Sequence, residues 1–257
     1  NSSDNSAAYN NTISGASEYG IKLESSLTNN ISSNSLSSNY EGIKVNGNNT
    51  VVQSNTISGG GSAYGGISVT GSSNVTVRNS NINSQSWRGI LVSSSGNVIR
   101  DNSIGSSGHN IWLTSGNNNV TNNSLNTGAY CGVCIENANG CILTNNSGAL
   151  NENGIKLAPG SNNTFTNNTI MGSTTGIWME SASTNNTFTN TTASGTTYGI
   201  VLLSSSNNNT YKEGTIGGVS TNGIYLDNSQ GNLFRDCSVS ALTNDVYSTN
   251  ANSNNTL

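Results

Sequence analysis

Charge is scarce in this chain. Of 257 residues, 8 are Lys or Arg, 12 are Asp or Glu and one is His, so charged residues make up 8% and the formal net charge is -4. Binding nucleic acid needs a basic patch to neutralise phosphates, so the composition argues against nucleic acid as a partner. Proline occurs once, at Pro159, and aromatic residues make up only 6%. Good helix formers are sparse, which argues against a helical protein. No run of eighteen apolar residues occurs, so no segment reads as a membrane-spanning helix. Low charge with abundant Asn, Ser and Gly can mark disorder, but disordered chains are usually rich in Pro and net charge.

What is present is asparagine, 49 of them, with 30 Gly. "SNNTFTNNTI" at Ser161–Ile170 returns almost unchanged as "STNNTFTNTT" at Ser183–Thr192. Internal periodicity explains the recurrence. A pattern close to Gly-Ile-x-Leu has its first apolar residue at Ile21, Ile43, Ile67, Ile90, Ile111, Val133, Ile155, Ile177, Ile200, Ile224 and Val246, at spacings of 21–24 residues. A second apolar pair, five residues apart, accompanies it, as in Ile31/Leu36, Val120/Leu125 and Phe165/Ile170. Leu143/Gly148 and Phe188/Ala193 are weaker versions.

Ile155 and Leu157 stand two residues apart, which is strand spacing with both side chains on one face. Each repeat therefore offers about four inward apolar residues on short strands, with Gly, Asn and Ser turns between them. One repeat cannot bury that face alone. Stacked repeats can, each strand lying about 4.8 Å from its equivalent in the next coil. The predicted fold is all-β: a solenoid of about eleven coils in a single domain over residues 1–257, a rod on the order of 50–55 Å long. The column before the second apolar position reads Asn11, Asn34, Asn55, Ser80, Asn102, Asn123, Asn146, Asn168, Thr191, Gly214 and Cys237. Asn suits corners that need left-handed backbone, and stacked amides can bond along the rod.

Coils of this length with Asn corners resemble right-handed parallel β-helix repeats. Such repeats occur in pectate-lyase-like proteins, NosD-like periplasmic proteins and cell-surface proteins of methanogenic archaea. The resemblance spans Ala8 to Leu257 and implies the right-handed form. For function it implies several options, because the fold hosts lyases, hydrolases, adhesins and structural polymers.

Catalysis on polysaccharides in such folds implies carboxylates clustered on an outer strand face. Glu136 and Glu180 fall two coils apart, with Lys156 between them and Trp112 and Trp178 nearby. They form the candidate site if the protein binds or cleaves polysaccharide. The other acidic residues are scattered; Asp101 and Asp236 each neighbour an Arg and form no Ca²⁺ cage. Trp112, Trp178, Tyr225 and Tyr247 face outward and offer lateral or glycan contacts. NosD-like relatives are associated with copper-centre assembly, but this chain has one His and two Met. Met179 reads as core and His109 as a solvated turn residue. The expectation is no metal and no cofactor.

Cys131, Cys134 and Cys141 fall in the sixth repeat and Cys237 in the tenth. The gap is about 19 Å along the rod, too far for a bond that needs Cα atoms within about 7 Å. Cys131-x-x-Cys134 lacks the second Cys pair of a zinc motif and the βαβ setting of a redox motif. At most two of Cys131, Cys134 and Cys141 can pair with each other, while Cys134, outward on its strand, and Cys237, at a corner, are placed for bonds between molecules. Neither end shows a helical or charged cap, which predicts either end-to-end stacking or a chain that continues beyond this segment. The many Asn-x-Ser/Thr strings, such as those at Asn162, Asn185 and Asn208, permit glycosylation at a surface. The overall expectation is an extracellular, non-enzymatic structural protein that assembles with itself. It is similar to the sheath proteins of methanogenic archaea, whose disulfide-linked, amyloid-like tubes the resemblance implies. The alternative is a polysaccharide-binding or polysaccharide-cleaving β-helix.

Overall fold

The computed structural model describes residues 4–60, 65–106, 108–128, 130–218, 220–250 and 253–257, with only the backbone at 84, 85, 150 and 151. Every strand pairing in it is parallel, and each strand pairs with its counterpart one repeat away. Along the Gly-Ile-x-Leu column, Ile90 pairs with Ile111, Ile111 with Val133, Val133 with Ile155 and Ile155 with Ile177. The repeat frame read from the sequence is the register of the fold.

A coil has three strands. In the sixth they are Asn119–Thr121, Ser124–Asn126 and Cys131–Ile135. Their inward residues Val120, Leu125, Val133 and Ile135 are fully buried. Each such burial contributes roughly 1.5–3 kcal/mol. The first strands form an eleven-stranded sheet. The third strands and most second strands share a seventeen-stranded sheet, because Ser147–Leu157 and Thr169–Met179 run without a break from the second face into the third. Beyond them the second face separates into a three-stranded sheet. Where the aliphatic column gives way to rings, Phe165, Phe188, Tyr211 and Phe234 stack nearly parallel, with centroids 4.2, 4.6 and 4.8 Å apart.

The asparagines divide into two kinds. Asn11 donates to Asn34, Asn34 to Asn55, Asn102 to Asn123, Asn123 to Asn146 and Asn146 to Asn168, each from Nδ2 to Oδ1 at 2.9–3.0 Å. Ser80 bridges the interruption, accepting from the Asn55 amide and donating its own amide to Asn102. These residues do not adopt the left-handed conformation assigned to them from sequence. The residue before each one does: Asn122, Asn145 and Asn167 all have φ of 55°, and Asp101 has 57°. The ladder residue needs its side chain turned inward, so its neighbour makes the bend.

A second corner repeats the device. Asn163 donates to Asn186, Asn186 to Asn209, Asn209 to Asn232 and Asn232 to Asn255 at 3.0–3.1 Å. Asn162, Asn185, Asn208 and Gly231 precede them with positive φ. An Asn-Asn doublet is thus one bend and one rung.

Candidate functional site

In most coils the third strand breaks strict alternation at a glycine. A Cβ on Gly89 would lie 2.3 Å from the Ile104 side chain and 2.6 Å from the Asn110 carbonyl, and one on Gly42 would meet Ile57 and the Gly66 carbonyl just as closely. The glycine and the following Ile therefore both turn toward the interior. Pairing skips the glycine: the ladder passes from His109–Cys131 directly to Ile111–Val133. Residues three apart, such as Cys131 and Cys134, consequently share the outer face.

This step gathers side chains from neighbouring coils. Arg88 pairs with His109 and His109 with Cys131 in one column; Trp112 pairs with Cys134 and Cys134 with Lys156 in the next. His109 is only 5% exposed. Its ring lies 5.4 Å from Trp87, 4.8 Å from Trp112 and 5.0 Å from Tyr130. The Arg88 guanidinium sits 4.1 Å above Trp112. The sequence reading of His109 as a solvated turn residue is corrected: it opens the strand His109–Leu113 beneath three aromatic rings. Its Nδ1 is buried with no hydrogen-bond partner among the described residues, as is Nε1 of Trp112 and of Trp178.

One nitrogen of His109 and the sulfurs of Cys131 and Cys134 all lie within 4.8 Å of one another. Burial, and the hydrogen bond it gives Cys134, push the Cys131 thiol up. That same bond, against the cost of burial and with help from His109 and Lys156, draws Cys134 down to about 6. A cross-link between molecules needs a thiol that reaches the surface. Cys131, Cys134 and Cys141 are free thiols and buried. Cys237 is half-buried, and its thiol faces the Arg235 carbonyl at 3.5 Å.

Two cavities open on this face. One, of about 230 Å³, is bordered by Trp87, His109, Trp112, Cys134, Glu136 and Ala158 together with Tyr130 and Lys156. The other, of about 240 Å³, is bordered by Glu152, Asn153, Thr174, Thr175 and Trp178, again with Tyr130 and Lys156. Tyr130 and Lys156 form the wall between them, Lys156 Nζ donating to the Tyr130 hydroxyl at 3.2 Å. Lys156 also pairs with Glu180 at 3.1 Å. Burial pulls the Lys156 ammonium down, but its bonds to Tyr130 and Glu180 outweigh burial and hold its pKa above the usual lysine value.

The structure thus brings Glu136, Lys156, Glu180, Trp112 and Trp178 to one face and adds Trp87, Arg88, His109, Tyr130, Cys131 and Cys134 to it. Tyr225 and Tyr247 are not part of it. They stack on each other at 5.7 Å, two and three coils beyond Trp178. The column containing His109 and Cys131 was missed from sequence, although the recurring Gly before Ile was its signal.

No curated protein sequence matches the chain. Among solved structures, it is similar to PfbA, a surface adhesin of Streptococcus pneumoniae, at 14% identity and a TM-score of 0.62, over 93% of this chain and 71% of that one. It is similar to the A-module of mannuronan C-5 epimerase AlgE4 from Azotobacter vinelandii at 13% identity and a TM-score of 0.67, over 98% and 90%. It is also similar to a tailspike protein of E. coli bacteriophage HK620, solved with a pentasaccharide, at 12% identity and a TM-score of 0.58, over 100% and 60%. The family model described as right handed beta helix region matches residues 65–216. Together with the coil-to-coil parallel register, that match shows that the chain belongs to the right-handed β-helix family.

Proposed function

We propose that the protein is an extracellular glycan-binding β-solenoid, which holds a polysaccharide across the face formed by Trp87, Trp112, Tyr130, Lys156 and Trp178. The observation behind this reading is the pair of adjoining cavities that share Tyr130 and Lys156 as a common wall. A sugar presents aliphatic C–H faces and hydroxyl edges. Aromatic rings meet the first, and fixed polar groups meet the second. Trp112 and Trp178 flank the wall on either side, and Glu136, Glu152 and Glu180 lie within reach of hydroxyl groups. Proteins of this fold include a surface adhesin and a tailspike solved with a pentasaccharide, and those uses agree with the reading. An outer-surface location agrees with it too; no helix among the described residues is long and apolar enough to cross a membrane.

Binding without cleavage is the form we favour. Lys156 is held as a cation by Tyr130 and Glu180, so it is poorly suited to act as a base. Glu180 is already engaged with Lys156. Self-assembly through cysteines loses support, since three of the four thiols are buried.

The test is calorimetric titration with a panel of soluble polysaccharides, combined with an assay for new chain ends. The expected result is binding to at least one polysaccharide with no cleavage, weakened about tenfold or more in Trp178→Ala and in Tyr130→Ala, which is about 1.4 kcal/mol. Binding that survives both substitutions would move the site elsewhere. Cleavage that disappears in Glu180→Gln would replace binding with catalysis.

A further inference from the structure

We propose that His109, Cys131 and Cys134 form a mononuclear zinc site, closed on three sides by the chain and open on the fourth toward the aromatic cavity. The glycan reading is not needed for this inference. Three soft or borderline donors converge from two adjacent coils, and all their ligating atoms lie within 4.8 Å of one another. Tetrahedral zinc takes Zn–S bonds of about 2.3 Å and Zn–N bonds of about 2.0–2.1 Å, which places neighbouring donors about 3.5–3.8 Å apart. The three groups thus need to close by at most about 1.0–1.3 Å.

Two features separate this cluster from a chance meeting of buried residues. First, Cys131 and Cys134 face the same side only because the strand takes two successive inward residues at Gly132 and Val133; ordinary alternation puts residues i and i+3 on opposite faces. Second, His109 is boxed in by Trp87, Trp112 and Tyr130, yet its Nδ1 has no hydrogen-bond partner among the described residues. A buried polar atom with no partner calls for an explanation, and coordination of a metal ion through Nδ1 would give one. The rings also fix the imidazole plane before any ion arrives, which limits the ordering cost of binding.

His109 and Cys134 border the cavity that Trp87, Trp112, Glu136 and Lys156 also line. Three protein ligands with a fourth position open to a cavity is the pattern of zinc sites that hold water or a ligand, whereas structural sites use four protein ligands. On binding, Zn²⁺ displaces the thiol protons of Cys131 and Cys134, and no electron transfer is involved.

The experiment uses the full chain, reduced and stripped of metal. Zn²⁺ is titrated against a chromophoric chelator, and Co²⁺ serves as a spectroscopic probe. The expected result is one ion per chain, thiolate-to-cobalt charge-transfer bands and a tetrahedral cobalt spectrum. Affinity should fall more than about 100-fold in Cys134→Ser and in His109→Ala, since outer-shell partners alone alter affinity by about 10–100-fold. Cys141→Ser and Cys237→Ser should bind as the parent does. X-ray absorption on the zinc-loaded parent, expected to show two sulfurs at about 2.3 Å and at least one nitrogen, needs no variant to fold. Substoichiometric binding, a cobalt spectrum without thiolate bands, or unchanged affinity in a folded His109→Ala would overturn the proposal. A Cys131–Cys134 disulfide that reforms in the presence of Zn²⁺ would also overturn it, leaving a dithiol pair in its place.

Discussion

Replacing either asparagine of the Asn145–Asn146 doublet with glycine should give opposite results. Asn145 is exposed, has φ of 55°, and its backbone amide donates to the Thr166 carbonyl at 3.0 Å. Glycine keeps that amide and adopts the same backbone without steric cost. Asn145→Gly should therefore stay within about 0.5 kcal/mol of the parent. A β-branched residue there, as in Asn145→Val, should cost about 1–2 kcal/mol.

Asn146 is 1% exposed. Its Nδ2 donates to the Val120 carbonyl at 2.8 Å and to Asn168 Oδ1 at 3.0 Å. Its Oδ1 accepts from the Asn123 backbone amide at 3.0 Å and from Asn123 Nδ2 at 2.9 Å. Asn146→Gly deletes all four bonds and leaves the buried Asn123 amide without its acceptor. An orphaned buried group costs about 1–3 kcal/mol, and each further lost bond about 0.5–1.5 kcal/mol. Allowing for water entering the vacated space, the sum is about 3–5 kcal/mol. Urea unfolding measures the total. Native-state hydrogen exchange at the Asn123 amide reads the local loss even where a stacked array does not unfold in one step. Equal destabilisation at positions 145 and 146, or an Asn123 amide as protected in Asn146→Gly as in the parent, would refute the division of labour within the doublet.

Other substitutions test other parts of the rod. Phe188, stacked between Phe165 and Tyr211, should cost about 3–5 kcal/mol when cut to alanine, measured by denaturant unfolding. Gly89→Ala places a methyl 2.3 Å from the Ile104 side chain; it should cost about 1–3 kcal/mol and alter the near-ultraviolet circular dichroism of Trp112 as Arg88 shifts. Glu41 is 1% exposed, and burial raises its carboxyl above the ordinary 4.5, partly countered by Ser68, Lys44 and Arg88. A raised acid binds more protons folded than unfolded, so its contribution is present below the ordinary value and is lost as pH rises through the folded one. The melting temperature of the parent should accordingly fall relative to Glu41→Gln as pH rises above 4.5, and parallel pH profiles would remove Glu41 as the cause.

The fold was legible because its signal is local and repeated. Ile111, Val133 and Ile155 sit at matching points of consecutive repeats, and each pairs with the next. Two-residue spacing and a steady 21–24-residue period determine face and register together, and neither needs knowledge of distant contacts. The rungs were legible at one corner only. Asn163, Asn186, Asn209 and Asn232 form a ladder of equal regularity, but its first half contains Thr50, Val75 and Cys141 in place of amides. Those substitutions hide the column from a reading that begins at the amino-terminal end. The bend was assigned one residue late because Asn serves both as rung and as bend, and composition alone cannot assign the two roles within a doublet.

The site failed to appear for a different reason. Under strict alternation Cys131 and Cys134 point to opposite sides, and His109 has no reason to meet either. What brings them together is a property of glycine. With no side chain to place, Gly132 can share the interior with Val133, and the outer face gains a second column between the turn and the strand. That column holds Glu41, His109 and Cys131, which are buried, and Arg88, which is half-buried. Gly-Ile recurs at Gly20, Gly42, Gly66, Gly89, Gly154, Gly176, Gly199 and Gly223, and Gly132 precedes Val133 in the same place. At Asn110, where the glycine is replaced, the side chain is buried and accepts from the Ser106 amide and hydroxyl at 3.0 and 3.1 Å. The step is thus kept at the coil that bears His109. A repeat whose glycine is read as a packing requirement, rather than as a turn signal, yields both outer columns, and with them the residues that can bind a ligand.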